Sequence, residues 1–422
     1  VTRRKPPETP ASGNGAGLLW NRRFLALNGA VFLAFANIAA FFQYYDYLHT
    51  LDIDVRWFGV LMGVFSGVAL VLRPVISPLL HAGNAARWIA AGNTGALLCL
   101  ASYGLADGFW SMFLLRTIHG LAHVILATGL MTLLVEHIPQ ERSGQAFGLI
   151  SIVTLLPYAV VPPALPVLTE WLGGYDRVLL LFAAVMLFVF PFTRMGSSSG
   201  EPLGSQAPSW NGALSRREYA QDLKDPKVLL LLSIMLLFFS GYALVFYFLA
   251  GFGHSIGLAG VGFFFTLSSV SEIGVRVVLG SQFDRWDKAR MCAAAMGAAA
   301  VGYAVLPHVD SPAGFFFLGA FLGLGWGVIM PMLNALMFDV SPPRFRALNV
   351  NLGLQMYQGG FFLGPFAGGF LVAHAGFTAL FSVCALLSLF SVVLLVLLNR
   401  VHPGRNARVA ASDSLLAEKK GV

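Results

Sequence analysis

Residues 59–87, GVLMGVFSGVALVLRPVISPLLHAGNAAR, and residues 262–290, GFFFTLSSVSEIGVRVVLGSQFDRWDKAR, lie 203 positions apart and share three landmarks: Gly59 with Gly262, Arg73 with Arg276, and Arg87 with Arg290. The same offset joins Gly120-Leu121 to Gly323-Leu324, Glu136 to Asp339, Pro139 to Pro342, Pro162 to Pro365 and Gly173 to Gly376. Apolar helices that are alike by chance match at Leu and Ala, not at Arg, Pro and loop length together. The chain therefore reads as two copies of one unit.

Composition says what kind of unit. Of 422 residues, 57% are hydrophobic and 11% charged, with mean hydropathy +0.73; ordinary soluble domains carry about 25% charged residues. Apolar segments near 24–45, 57–80, 87–106, 109–135, 145–168 and 177–193, then 227–251, 258–280, 290–308, 313–338, 347–372 and 377–399, are long enough to cross a ~30 Å hydrocarbon core. The expected fold is an all-α polytopic membrane protein of twelve transmembrane helices. Its two six-helix bundles, 24–193 and 227–399, are related by a pseudo-twofold axis along the membrane normal.

A central loop (194–226), rich in Ser, Gly and Pro and then in mixed charges, separates the bundles and reads as a loop with a short amphipathic helix. Tails occupy 1–23 and 400–422. No short apolar stretch with a small-residue cleavage site stands before the first segment, so that segment is expected to be retained. With both tails placed in the cytoplasm, 22 of the 27 Lys and Arg fall on the cytoplasmic side, as the positive-inside rule asks. Arg56 and Arg177 fall outside, and Arg73, Arg116 and Arg276 fall in or at the ends of helices.

The charge distribution, +7 overall, follows membrane topology and shows no basic stripe with interleaved aromatics, so nucleic acid is not an expected partner. Cys99, Cys292 and Cys384 lie far apart in apolar runs and match no metal or disulfide pattern. GxxxxGK[ST], GxSxG and HExxH are absent, so neither an ATP motor nor an enzyme is expected and the energy must come from a gradient.

Three shorter motifs sharpen the reading. GSQFDRWDKAR (280–290) places Gly280, Asp284, Arg285, Lys288 and Arg290 in a loop after the eighth segment, while its first-half counterpart has Ser77 and His81 where Gly and Asp would stand. RTIHG (116–120) places Arg116 four residues before Gly120. GPFAGG (364–369) sits on the eleventh segment, and YAVVPPALP (158–166) on the fifth keeps Pro162 without the glycines. With twelve spans and a parallel 6+6 repeat, these motifs resemble the major facilitator superfamily, and specifically its proton-coupled drug and metabolite efflux branch.

That resemblance implies that the first, fourth, seventh and tenth helices line a central cavity. It implies a gating role on the cytoplasmic side for Arg73, Arg276, Asp284, Arg285 and Arg290. It also implies a proton-coupling role for Arg116. The cavity candidates are then Asn28, Asn37, Gln43 and Tyr44 on the first helix, Tyr242 and Tyr247 on the seventh, and Trp326 and Asn334 on the tenth. Gln355, Tyr357 and Gln358 on the eleventh join them. Asn and Gln in spans also serve as interhelical glue, worth about 0.6 kcal/mol each.

Arg116 is the only formal charge between Asp107 and Glu136, and His119 and His123 follow it on one helical face. An intramembrane Arg costs roughly 3 kcal/mol on insertion scales and usually marks an ion or substrate route. One reading makes Arg116 a fixed positive charge for an anionic group and His119 or His123 a proton-responsive group. The other has Arg116 bound to backbone carbonyls or to an acid elsewhere, with the histidines hydrogen-bonded in the core. Glu272 and Arg276 are likewise either a local i, i+4 ion pair or a titratable carrier and its partner. Asp46, in FFQYYDYLH, is either a proton site at the outer mouth or a hydrated residue within an aromatic belt.

The expected activity is export of a small anionic, zwitterionic, chelating or drug-like solute by proton-coupled alternating access. Proton-coupled uptake of a small organic acid or sugar is the alternative. The expected setting is a bacterial inner membrane, with a monomer contacting lipid and solute and no cofactor beyond the proton gradient.

Overall fold

The structure is a computed structural model that describes residues 21–138, 143–197, 224–279, 286–342 and 345–401. Most of the central loop, both tails, and Asp284 and Arg285 of the 280–290 motif lie outside the described residues.

The described chain is helical throughout. Its rods are α1 (Arg22–His49), α2 (Phe58–Ile76), α3 (Ala82–Ser102), α4 (Phe109–Glu136), α5 (Ser143–Leu172) and α6 (Tyr175–Ser197). After the central loop come α7 (Pro226–Ser255), α8 (Gly262–Leu279), α9 (Lys288–Val305) and α10 (Pro312–Val340). Arg346–Val401 runs on as one helical stretch, broken by non-helical geometry at Gly376 into α11 (346–375) and α12 (377–401). Among the described residues, ten segments are long and apolar enough to cross a membrane. The expected twelve is reached by counting the two arms at Gly376 separately and adding the 21-residue α3.

Local chemistry accounts for the helix starts and interruptions. Asn21, Asp225, Asp287 and Ser311 each accept from a backbone N–H of the following first turn, and Pro226 and Pro312 fill the first helical positions, where no N–H is needed. α1 tightens to a 3₁₀ turn at Ala40–Gln43, and the Tyr175 hydroxyl donates to the Ala40 carbonyl at 2.8 Å. α5 contains Pro157, Pro162, Pro163 and Pro166. Pro163 has no N–H for the Ala159 carbonyl, and the Thr266 hydroxyl of α8 donates to that carbonyl instead at 2.6 Å. A helix-breaking residue thus becomes a link between the two halves.

The 203-residue repeat is a repeat of contacts. Gly59 on α2 lies so close to α11 that a Cβ there would overlap the Pro365 carbonyl oxygen; its counterpart Gly262 on α8 stands in the same relation to Pro162 on α5. Gly120 lies against the Phe65 backbone, and Gly323 against Ser268, again 203 residues on in both members. Gly173 and Gly376, at the α5–α6 and α11–α12 corners, take φ of +75° and +76°. With ψ of −177°, Gly376 occupies a region essentially closed to residues with a Cβ. Gly376→Ala is expected to cost about 1–3 kcal/mol, seen as an earlier thermal transition in detergent, with Gly173→Ala behaving alike; an unchanged transition would contradict it.

The halves meet along two antiparallel joints, α2 with α11 and α5 with α8, and where α7 packs on the Ala40–His49 segment of α1. This contact lies toward the face of the bundle opposite the chain ends, here termed the far face. Aromatic rings seal it. Phe42 packs on Phe246 and Phe265, Tyr158 on Phe246, and Tyr45 on Phe248 and Phe377, all edge-on or tilted.

Candidate functional site

Arg116 stands on α4, within the α1–α2–α4 angle of the first half, and is 1% exposed. Its Nε donates to the Leu61 carbonyl at 3.2 Å, and its guanidinium carbon lies 4.3, 4.9 and 4.8 Å from the ring centroids of Phe41, Tyr44 and Phe65. Such cation–π contacts contribute about 0.5–2 kcal/mol each. Tyr103 and Tyr247 also interact with the guanidinium, the latter from α7 in the other half. Among the described residues no carboxylate pairs with Arg116. The alternative in which Arg116 is bound to backbone carbonyls or to an acid elsewhere is therefore met in its first form, through the Leu61 carbonyl.

His119, fully buried, is held at both nitrogens: Asn37 donates to Nε2 at 3.0 Å, and Nδ1 meets the Tyr103 hydroxyl at 3.1 Å. An amide nitrogen only donates, so Nε2 is the acceptor and Nδ1–H donates to Tyr103. An added proton on Nε2 would face that amide nitrogen, and the Asn37 amide would have to turn to present its Oδ1, which is buried without a partner. His123, 5% exposed, packs between Phe35 and Phe65 with Nδ1 unpartnered. The two histidines therefore differ in what they hold. Removing His119 leaves the buried Asn37 amide unpaired, at about 1–3 kcal/mol, and takes one partner from the Tyr103 hydroxyl. His119→Ala is accordingly expected to lower the thermal midpoint in detergent more than His123→Ala does; the reverse order would contradict this assignment.

The structure thus gathers Asn37, Tyr44, Arg116, His119, His123 and Tyr247. It places the other candidates elsewhere. Tyr242 and Trp326 form a second cluster in the other half, with ring centroids 4.5 Å apart and Trp326 Nε1 donating to the Tyr303 hydroxyl at 2.8 Å. Tyr357 stacks on Phe361 beside them. Asn28 and Asn334 turn back on their own helices, donating to the Phe24 and Met330 carbonyls. Gln355 and Gln358 are half-buried on α11, with Gln355 Oε1 unpartnered. Gln43 accepts from Thr169 and, with Asp46, lines a far-face cavity of about 220 Å³.

Asp46 is not simply hydrated. Its Oδ1 lies 3.2 Å from His254 Nδ1 on α7, which ties the halves together at the far face. On the other face, Lys288 rather than Arg290 makes the helix-end contact, bonding Asp339 at 2.7 Å, while Arg290 pairs with Asp287 in its own turn. Arg276 and Glu272 form the expected pair at 2.6 Å, and Arg276 also donates to Ser151 on α5. Arg73, its repeat counterpart, has no carboxylate partner among the described residues. Sequence reasoning missed Tyr103, Phe41 and Phe65, the ring that holds Arg116 and His119. Tyr103 sits at the end of α3, where a tyrosine reads as an interfacial anchor, and the two phenylalanines carry no signal among the chain's 36.

Known proteins agree with this architecture. Residues 24–353 and 310–420 match the family profile described as Major Facilitator Superfamily. Multidrug resistance protein MdtG of Enterobacter lignolyticus (strain SCF1) is 23% identical over 332 residues, spanning 77% of this chain and 76% of that protein. The staphylopine export protein of Staphylococcus aureus (strain Mu50 / ATCC 700699) is 22% identical over 351 residues, spanning 80% and 86%. Among solved structures, the nucleoside transporter NupG superposes with a TM-score of 0.70 at 18% identity, covering 91% of this chain and all of that one. A bacterial homologue of the lysosomal transporter Spinster superposes with a TM-score of 0.66 at 15% identity, covering 90% and 96%. The duplicated six-helix bundles, their mirrored glycine contacts and the profile match over nearly the whole chain identify this integral membrane protein as a member of the major facilitator superfamily.

Proposed function

We propose that the protein exports a small organic solute bearing a negatively charged group, by proton-coupled alternating access between its two halves. The supporting observation is Arg116: a buried guanidinium with aromatic faces on three sides and no carboxylate partner among the described residues. A cation kept in that setting favours an anionic or zwitterionic ligand, because burial strengthens its attraction for an opposite charge. The likeness to MdtG and to the staphylopine export protein supports export over uptake. The aromatic seal at the far face fits the stage of the cycle that is closed to the outside, with both chain ends taken as cytoplasmic. The second reading, proton-coupled uptake of a small acid or sugar, draws on the likeness to NupG, a nucleoside transporter.

The test has two steps. Purified protein is screened for ligand-dependent thermal stabilisation across organic acids, amino-acid-like zwitterions, chelators, sugars and cationic dyes. The stabilising compounds are then loaded into proteoliposomes under a pH gradient. The proposal expects anionic or zwitterionic compounds to stabilise, and their movement to be driven against an inward proton gradient. Stabilisation by cationic dyes alone, or flux indifferent to the gradient, would overturn it.

A further inference from the structure

The two joints between the halves are related by the repeat, yet among the described residues only the α5–α8 joint is crossed by side-chain hydrogen bonds. Along α5 and α8, Gly262 lies on Pro162, Thr266 donates to the Ala159 carbonyl, and Arg276 donates through Nη1 to Ser151 Oγ at 2.7 Å. Read from the far face toward the chain ends, these contacts zip the joint along its length, and the Arg276–Ser151 bond closes its last part. In the sister joint the counterpart of Arg276 is Arg73, that of Glu272 is Ala69, and that of Ser151 is Leu354. Neither the acid nor the hydroxyl has been kept there.

Glu272 is 1% exposed and is the one buried carboxylate among the described residues. Its Oε1 accepts from Arg276 Nη2 at 2.6 Å. Arg276 also reaches Met330 on α10 at 3.6 Å, and its Nε has no partner. The groups around Glu272 are few: Arg276 on its own helix, Tyr242 on α7 and Tyr357 on α11, with Gly327 of α10 packed against its backbone and Ser151 of α5 beyond Arg276. Among the described residues Arg276 is therefore oriented by Glu272 and Met330 on its own side of the joint and by Ser151 across it. A guanidinium held by an ionised carboxylate is fixed in direction by a charge-assisted bond. Once that carboxylate takes up a proton, the bond loses its charge, and the guanidinium is left in the joint with a hydroxyl and a sulfur for company.

We propose that Glu272 is the proton-carrying group of the transport cycle, and that it acts through Arg276 on the α5–α8 joint. The ionised acid holds Arg276 against Ser151 and keeps the joint clasped. A proton added to the Glu272 carboxylate breaks the ion pair, frees Arg276 from Ser151 and lets the two helices part toward the chain ends. Return of the proton to water re-forms the pair. Ser151 is a positioning residue, since it meets the proton only through Arg276. This inference rests on the proton-coupled reading and narrows it to one residue and one joint.

The test reads the joint and needs no substrate, so its failure is distinguishable from failure of the transport proposal. Spin labels are attached at Gly148→Cys on α5 and Val278→Cys on α8, both exposed and both on the chain-end side of the clasp; the native cysteines are buried. Pulsed electron–electron distance measurements are made on the full chain in lipid nanodiscs at about pH 8 and about pH 5. The parent is expected to gain a longer-distance population at low pH, by about tenfold. Glu272→Gln should show that population at both pH values, Glu272→Asp should restore the pH response, and Ser151→Ala should raise it at high pH. A parent whose distances ignore pH, or a Glu272→Gln variant that still responds, overturns the proposal; an unmoved Ser151→Ala overturns the clasp. Proton-driven flux of the parent in proteoliposomes is measured alongside. Flux without pH-dependent joint opening discards Glu272 and leaves the transport reading standing.

Discussion

Arg116→Ala is expected to abolish proton-driven transport while leaving the protein as stable as before, or more so. The two halves of that result have separate causes. A ligand anion seated against a buried guanidinium loses about 2–5 kcal/mol when the partner charge is removed, which is roughly 30-fold to several-thousand-fold in affinity. Stability follows a different rule. Arg116 is paired with a carbonyl and three aromatic rings and, among the described residues, with no carboxylate. Its removal gives up those contacts, while the Leu61 carbonyl keeps its place in the backbone ladder of α2, and it also withdraws an uncompensated charge from a dry site, a change often neutral or favourable. Arg116→Lys should keep part of the binding, since a lysine retains the charge without the planar fork. The checks are ligand-dependent thermal stabilisation and flux in proteoliposomes. Full gradient-driven flux in Arg116→Ala would remove the functional reading of the α4 stripe.

The second large effect is expected at the far-face ends of the joints. In Gly59→Leu and Gly262→Leu, the first side-chain atom meets backbone, the Pro365 carbonyl in one case and the Pro162 carbonyl in the other. Backbone cannot swing aside as a side-chain tip can, so the joints must part to admit it. Overpacking of this kind costs about 1–3 kcal/mol, enough to move a two-state balance about 5- to 150-fold away from the far-face-closed arrangement. Each variant should lose transport and, combined with a cysteine placed in the aromatic seal at Tyr45→Cys, label more readily than Tyr45→Cys alone. The symmetric positions should give the same phenotype. A variant that transports normally and stays protected at Tyr45→Cys would show that the far face does not close in this way.

Much of the architecture was legible because it rests on features that repeat or that the bilayer imposes. Segment lengths follow from the thickness of hydrocarbon, and the 203-residue register follows from duplication. Even the contact partners could be paired in advance, Gly59 with Gly262 and Pro162 with Pro365. What the repeat did not say is that these are two halves of the same joints, glycine on one helix against proline on another. The site was legible only in part. Arg116, His119 and His123 stand out because charge is rare in a span. The groups that decide what each of them does come from three other helices: Asn37 stood out as a polar residue in a span, but Phe41, Phe65 and Tyr103 carry no mark in the sequence. The same holds for Ser151 opposite Arg276 and His254 opposite Asp46.

The sequence alone determined the solvent, the all-helical class and the duplication, since hydropathy and register are properties of residue order and do not depend on which helix stands beside which. Only the tertiary structure decided which polar groups are matched: His119 tied at both nitrogens, Glu272 paired and clasped to the other half through Arg276, and Arg116 without an acid among the described residues. The reason is physical. In a low-dielectric interior a charged group is defined by what lies within a few ångströms, and across a bundle those neighbours arrive from helices tens of residues away in the chain.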